Sequence, residues 1–271
     1  MRKSICSIII LLLTAPSLKA DWPVGKRRTT LLPGYSFFYS DANYDRKWNR
    51  TKFPKGNSFV THVYNFSMQH GIGRSTDLFM NIPYLAQRSL NKDSLRTAAG
   101  VGDLTIGIAQ HFSSKDQHRH FTAKASFILP MYQKDSIASL GYASRALGLE
   151  VNYSFSASSK AFAIVQAAYT HYLDEAEGPQ QYIYTGTYGR KLNAFSMMTF
   201  SFMHQISYSA DKSFNPNLSA NKSFINGRFS ISYGRRITRT IMPMVHISTV
   251  MYGKNAGGGF GAGISLITRL P

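Results

Sequence analysis

Residues 121–132, FTAKASFILPMY, decide the fold of this chain. Apolar side chains occupy every second position of the segment, namely Phe121, Ala123, Ala125, Phe127, Leu129 and Met131. Thr122, Lys124 and Ser126 stand between them. Successive side chains of a β-strand point to opposite faces, so the segment has one apolar and one polar face. The same alternation recurs along the chain and predicts an all-β protein.

Residues 1–20 have the features of a secretory signal peptide. Arg2 and Lys3 precede an apolar core, Ile8–Leu13, and Ala20 supplies a small residue at the expected cleavage site. An uncleaved membrane anchor is the alternative, but the apolar run is too short to span a bilayer. We therefore expect the mature chain, residues 21–271, to form one domain.

In an exported chain the alternating pattern favours a closed antiparallel transmembrane β-barrel, with lipid outside and water inside. Long and short connections alternate along the sequence, as expected for extracellular loops and periplasmic turns. A soluble β-sandwich has no reason to keep that alternation. About twelve strands are predicted, at 29–40, 57–70, 75–87, 101–112, 119–132, 142–157, 160–173, 180–190, 194–209, 222–234, 239–252 and 257–269.

Cysteine content and charge restrict the partners. The only cysteine, Cys6, lies in the leader, so the mature chain has neither disulfides nor thiolate metal sites. The formal charge of +18 falls to +15 because Arg2, Lys3 and Lys19 leave with the leader. The basic residues are spread over many connections, which disfavours nucleic acid as the partner. Outer-membrane lipid and lipopolysaccharide are the expected anionic partners.

Aromatic residues cluster near both ends of the predicted strands. Phe38, Tyr142 and Tyr172 belong to the group near the long loops, and Phe112 and Phe121 to the group near the short turns. Two such belts are expected at the two lipid–water interfaces. We also expect the last strand to be read by the barrel assembly machinery, although the chain ends in Leu270-Pro271 rather than an aromatic residue.

Three segments carry a resemblance to a known family: the opening Trp22–Lys26 (WPVGK), Tyr64–Leu85 (YNFSMQHGIGRSTDLFMNIPYL) and Gly100–Phe112 (GVGDLTIGIAQHF). Together they resemble the outer-membrane β-barrel transporters of the phenol-degradation meta-pathway type. The resemblance is strongest in the first half of the chain. It implies an outer-membrane channel without a cofactor, and it leaves the solute open because the family label rests on gene context for some members.

The polar parity of each predicted strand identifies the candidate pore lining. It places one titratable side chain inward on each of six strands: Asp77, Asp103, Lys124, Glu150, Arg228 and His246. These charges are interpreted either as selectivity groups of an open pore or as ion pairs that neutralise one another and fill the barrel. Asp103 and Lys124 are expected on adjacent strands, with Glu150 one strand further.

Two further groups of residues are candidates for binding. The first long loop carries Arg46, Lys47, Arg50, Lys52 and Lys55, which are predicted to contact lipopolysaccharide phosphates or to attract anionic solutes. His111, His118 and His120 surround one short turn. Their spacing matches no recognised metal site, and a solvated turn explains them equally well, so no metal is expected.

The sequence leaves three functions open. Passive passage of a small solute is preferred, with hydrophobic or aromatic character implied by the family resemblance alone, and a non-conducting structural barrel is the second hypothesis. An outer-membrane lipid hydrolase is the third, because Asn226-Gly227-Arg228 echoes part of such a site. Ser223, Phe224 and Ile225 precede that segment, however, and a serine nucleophile needs a base within reach. No enzymatic activity is therefore predicted.

Overall fold

The computed structural model describes residues 23–91, 94–116, 118–133, 140–173, 178–212 and 221–271. The predicted leader lies outside these ranges. Fourteen strands occur in the described residues, and twelve of them form one closed antiparallel barrel, because the last strand pairs with the first along nearly its whole length. The prediction of a closed barrel of about twelve strands is confirmed.

The strands differ in length from three to sixteen residues. In chain order they are β1 (Thr29–Tyr44), β2 (Arg50–Lys52), β3 (Ser58–Gly71), β4 (Thr76–Asn91), β5 (Ser94–Val101), β6 (Asp103–Ser113), β7 (Arg119–Pro130), β8 (Ala146–Ser158), β9 (Ala161–Tyr172), β10 (Gln180–Lys191), β11 (Ser196–Tyr208), β12 (Phe224–Arg235), β13 (Ile241–Lys254) and β14 (Ala256–Leu270).

The two strands outside the barrel circuit correct the predicted loops. β2 pairs with the end of β1, within the segment 41–56 that was predicted as a loop. β5 pairs with the end of β4, so the predicted loop 88–100 is instead a hairpin that extends the barrel wall. The last predicted loop, 253–256, shrinks to Asn255 between β13 and β14. Hydrogen-bonded extension satisfies backbone groups that a free loop would leave to water.

Residue burial is inverted relative to a soluble protein. Leu149, Val165 and Ile247 on the outer face are 61%, 57% and 60% exposed, whereas Asp77 and Thr122 inside are fully buried. Hydrocarbon, not water, is the solvent that such an exterior matches, and a closed barrel leaves no sheet edge unpaired within it. The exterior therefore defines a transmembrane barrel of the outer-membrane type.

The described part of the chain contains no candidate transmembrane helix.

The predicted aromatic belts are only partly correct. Phe112 and Phe121 are exposed on the outer face near the short turns, with ring centroids 6.1 Å apart. Phe38, Tyr142 and Tyr172 were assigned to the opposite belt, but all three line an internal cavity instead. Tyr142 lies in the segment 140–145, which has no regular structure, although a strand is predicted from residue 142 onward. Because the segment 140–145 folds inward, Tyr142 lines the cavity instead of facing lipid.

Candidate functional site in the barrel lumen

The twelve barrel strands turn one face of each strand inward, and the side chains on these faces form the candidate site. Antiparallel neighbours that lie directly opposite share a face, so the register extends the assignment from strand to strand. Ala109 lies opposite Lys124, and Lys124 lies opposite Glu150. The structure places all six predicted lining residues on the inner face. It distributes them between a packed half near the short turns and a hollow half near the long loops.

Asp77 is the centre of the packed half. Its Oδ2 accepts hydrogen bonds from the Val24 backbone N–H at 3.0 Å, from Gln69 Nε2 at 2.8 Å and from His111 Nε2 at 2.9 Å. The ring of His111 also shares a hydrogen bond with Thr122 through Nδ1, at 2.9 Å. A carboxylate only accepts hydrogen bonds, so His111 carries a proton on Nε2. This cluster joins four strands, β3, β4, β6 and β7, to the N-terminal segment.

The N-terminal residues reach this cluster from the short-turn end. Gly25 adopts a φ of +92°, which glycine tolerates without strain, and Arg27 N donates to the Gly71 carbonyl at 2.7 Å. A Cβ on Gly71 would lie 2.0 Å from the Gly25 carbonyl oxygen. Only glycine at position 71 therefore leaves room for this contact with Gly25. Val24 therefore contacts the inner wall at that end of the lumen, whereas Lys26, Arg27 and Arg28 are exposed.

Lys124 and Glu150 form the next layer. Lys124 Nζ lies 2.7 Å from Glu150 Oε1, and each side chain is 25% exposed. Asn152 Nδ2 donates to the same carboxylate oxygen at 2.8 Å, and the lysine ammonium lies 6.0 Å from the Phe79 ring centroid. Lys124 thus pairs with Glu150, whereas Asp103 lies several residues higher, opposite Pro130. The ion-pair interpretation applies to this half of the lumen.

The hollow half contains a cavity of about 500 Å³. Arg228, His246 and Asp103 all line it, on β12, β13 and β6. β6 and β12 are separated by five strands in either direction around the twelve-stranded circuit, so Asp103 faces Arg228 from the opposite wall. No ion pair joins these three groups among the residues that the structure describes. The cavity therefore presents separate positive and negative sides.

Tyr132 holds Asp103, and the segment 140–145, which folds into the mouth, positions Tyr132. Tyr132 hydrogen-bonds the Asp103 carboxylate, and the Ala143 N–H donates to the Tyr132 hydroxyl at 3.2 Å. Tyr142 packs edge-on against Tyr172, at 4.8 Å between ring centroids, and donates to the Asn221 carbonyl at 2.8 Å. Burial raises the pKa of Tyr142 to about 12, so its hydroxyl stays protonated. The sequence pattern gave no signal for this inward fold.

The basic first-loop residues are dispersed around the β1–β2 hairpin. Arg46 Nη2 donates to the Lys212 carbonyl at 3.0 Å, and Arg50 Nη2 lies 3.5 Å from Asp41 Oδ1. Lys47 donates its backbone N–H to Asp45 in a tight turn, and hydrogen bonds from that turn hold the pKa of Asp45 below its usual value. Lys52 and Lys55 are exposed. The cluster therefore lies at the long-loop end, outside the lumen.

The three histidines around the β6–β7 turn lie in three different environments. His111 belongs to the buried Asp77 cluster, His120 shares a 2.8 Å hydrogen bond with Ser113, and His118 lies in the exposed turn. The solvated-turn interpretation is therefore wrong for His111, which is 2% exposed. No group of three metal-ligating side chains occurs within the described ranges.

Comparisons with solved structures identify the same fold in outer-membrane proteins. The COG4313 outer membrane channel from Pseudomonas putida F1 aligns with a TM-score of 0.75 and 13% identity, over 95% of this chain and 100% of that chain. The NanC porin aligns with a TM-score of 0.56 and 8% identity, over 89% and 100%. The translocator domain of autotransporter NalP from Neisseria meningitidis aligns with a TM-score of 0.50 and 8% identity, over 91% and 89%.

At these identities the likeness concerns the fold. No family model matches the chain, and no curated protein matches it either. The outer-membrane barrel class expected from the resemblance is supported, and the phenol meta-pathway type is not confirmed.

Proposed function

We propose that this protein is a channel in the outer membrane of a Gram-negative bacterium, through which small solutes pass passively. The observation that supports it most is the cavity of about 500 Å³ inside a barrel whose exterior matches hydrocarbon. Its size falls within the roughly 300–1,000 Å³ typical of small-molecule sites. The short-turn end then faces the periplasm and the long-loop end faces outward. Hydrophobic or aromatic solutes remain the expected class.

The packed half favours a second candidate, a structural barrel without conductance. The Asp77 cluster, to which Val24 donates a backbone hydrogen bond, and the Lys124–Glu150 pair occupy the lumen beneath the cavity. Passage then requires a water path past these side chains and Val24, whereas a structural barrel requires none. The N-terminal segment is the part of this packing that precedes β1 and can be deleted without altering a barrel strand.

Planar bilayers test these alternatives. Mature protein refolded in detergent is compared with a variant that lacks residues 21–26, and current is recorded at several voltages. The channel hypothesis expects discrete conductance steps that become larger or longer-lived without the segment. Absence of steps from both proteins, at concentrations where gel mobility shows folded barrel, would favour the structural role.

We also propose that the loop cations contact lipopolysaccharide, the anionic component of the outer leaflet. Arg46, Lys47, Lys52 and Lys55 lie on the side that faces outward in the proposed orientation. Phosphate groups attract such a cluster through long-range electrostatics, which salt screens. Replacing Lys47, Lys52 and Lys55 by Gln is expected to weaken retention of lipopolysaccharide at low salt. Replacing Lys191 and Arg190 at the opposite end is the matched control.

An enzymatic role has little support in the site. Ser113 and His120 form a hydrogen-bonded pair, but they lie on the inner face at the β6–β7 turn rather than on the lipid face. Asn226 and Arg228, which echoed a hydrolase motif, line the cavity with no serine nucleophile paired to a histidine beside them within the described residues. Hydrolysis of phospholipid by pure protein would revive this hypothesis.

A further inference from the structure

Two basic side chains of the cavity lack partners. Arg228 and His246 make no hydrogen bond and no ion pair within the part of the chain that the structure describes, and the Arg228 Nε atom is buried. In the packed half, by contrast, the basic side chains of His111 and Lys124 each have a carboxylate partner. A buried donor without an acceptor costs about 1–3 kcal/mol, and more when it is charged. Such a group in a cavity indicates an acceptor that arrives from outside.

Arg228 is positioned for planar recognition. Its guanidinium carbon lies 5.2 Å from the Phe38 ring centroid, a distance at which the ring stabilises the cation. The ring contacts the guanidinium without using its N–H donors. These donors form a rigid fork that matches both oxygens of a carboxylate.

His246 lies on the strand next to Arg228 and points into the same cavity. A Cβ on Gly263 would lie 2.6 Å from the His246 ring, so the glycine leaves room for the imidazole against the wall. The ring supplies a second donor on the positive side. Asp103 on the opposite wall repels a second anionic group, which favours ligands with one charge at one end.

Part of the cavity near Arg228 is apolar, beside the polar side chains of Gln205, Asn226 and Ser248. Phe38, Phe59, Phe224 and Val250 line it, and Tyr172 closes it on the side of Asp103. Burial of an aromatic or aliphatic body against these side chains supplies affinity, while the charged group fixes orientation. Inorganic anions lack the apolar part, and neutral aromatics lack the charge.

We propose that this cavity binds small monocarboxylates that carry an aromatic or aliphatic body, with the carboxylate on Arg228 and a second hydrogen bond from His246. This inference rests on the proposed passage of solutes through the lumen and names their chemical class. The site lies above the packed half, so binding does not require the N-terminal segment to move.

The test measures binding to the full mature protein in detergent micelles by isothermal titration calorimetry. Benzoate is the probe, benzamide is its neutral isostere, and chloride is the anion without an apolar body. Benzoate is expected to bind at least about tenfold more tightly than either, as one or two charge-assisted hydrogen bonds require. Equal affinity for benzoate and benzamide, or displacement of benzoate by equimolar chloride, would overturn the proposal without any variant.

Variants locate the site. Arg228→Gln is expected to lose at least about tenfold in benzoate affinity, and Arg228→Lys to recover part of it, because lysine keeps the charge but not the fork. Arg190→Gln, at the short-turn end, is the matched control and should bind as the parent does. Circular dichroism and heat-dependent gel mobility verify folding. Unchanged affinity in folded Arg228→Gln would also overturn the proposal.

Flux separates this proposal from the channel itself. Benzoate binding without solute passage in liposomes leaves the site in place and contradicts the channel. Passage of a neutral sugar without benzoate binding supports the channel and contradicts the proposed binding site.

Discussion

The two halves of the lumen differ in how their charges are satisfied. Near the short turns, Asp77 receives three hydrogen bonds on one oxygen and Lys124 contacts Glu150 at 2.7 Å. Near the long loops, Arg228 lies 5.2 Å from the Phe38 ring centroid, and its charge faces a cavity of about 500 Å³. Both halves are built from the same alternating strands, so the alternation itself does not determine which charges are structural.

The presence or absence of a partner within the folded chain distinguishes structural charges from the others. A charge whose partner belongs to the folded chain stabilises the chain or merely offsets its own desolvation. A charge without such a partner costs stability until a ligand arrives, and functional sites concentrate groups of this kind. The comparison therefore predicts large stability losses from substitutions in the packed half and small losses from those at the periphery.

Asp77→Ala should have the largest effect on stability. It leaves His111, Gln69 and the Val24 N–H without their shared acceptor in a fully buried site. Removal of one member of a buried pair costs about 3–5 kcal/mol. Urea unfolding in lipid vesicles, followed by gel mobility, measures the loss.

Asp77→Asn is the informative companion, since its amide oxygen still accepts hydrogen bonds but carries no charge. We expect it to lose less than the alanine variant. Parent-like stability in both variants would mean that the cluster contributes nothing, and the contrast between the two halves would disappear.

Gly71→Ala tests how closely the N-terminal segment is fitted. The new methyl would lie 2.0 Å from the Gly25 carbonyl oxygen, and overpacking of this kind costs about 1–3 kcal/mol. The mature chain has no cysteine, so Val24→Cys provides a single labelling site. Maleimide labelling of that cysteine should be faster when Gly71→Ala is added.

Gly186→Ala is the matched control, because a Cβ there has no neighbour within 4 Å. It should leave both stability and labelling unchanged to within about 0.5 kcal/mol. Equal labelling rates with and without Gly71→Ala would contradict the close fit.

Lys124 and Glu150 should show an intermediate effect. A double-mutant cycle with Lys124→Gln and Glu150→Gln is expected to give a coupling free energy of about 1 kcal/mol, between exposed and buried pairs, because a quarter of each side chain is exposed. Urea unfolding of the four proteins measures it. A coupling free energy indistinguishable from zero would mean that Lys124 and Glu150 stabilise the barrel no more than an exposed ion pair does.

The sequence predicts these elements unequally. Period-two alternation in 121–132 identifies the lipid face, because lipid contact imposes the same pattern on every barrel strand. The inner parity of Asp77 and Arg228 follows from the same rule. Their partners do not follow, because Lys124 meets Glu150 rather than Asp103 through register, which depends on hairpin geometry. The inward fold of Tyr142 depends on tertiary contacts that no local pattern encodes.

Substitution of Arg50 should have the smallest effect on stability among the variants compared. Its guanidinium lies 3.5 Å from Asp41, and both side chains are more than 40% exposed. Exposed pairs contribute about 0.2–1 kcal/mol, and salt screens them. Arg50→Gln should therefore change the free energy of unfolding by less than about 1 kcal/mol, and the change should vanish in 1 M salt. A larger loss that persists in high salt would mean that the β1–β2 hairpin stabilises the barrel as the packed half does, and stability would then not be concentrated near the short turns.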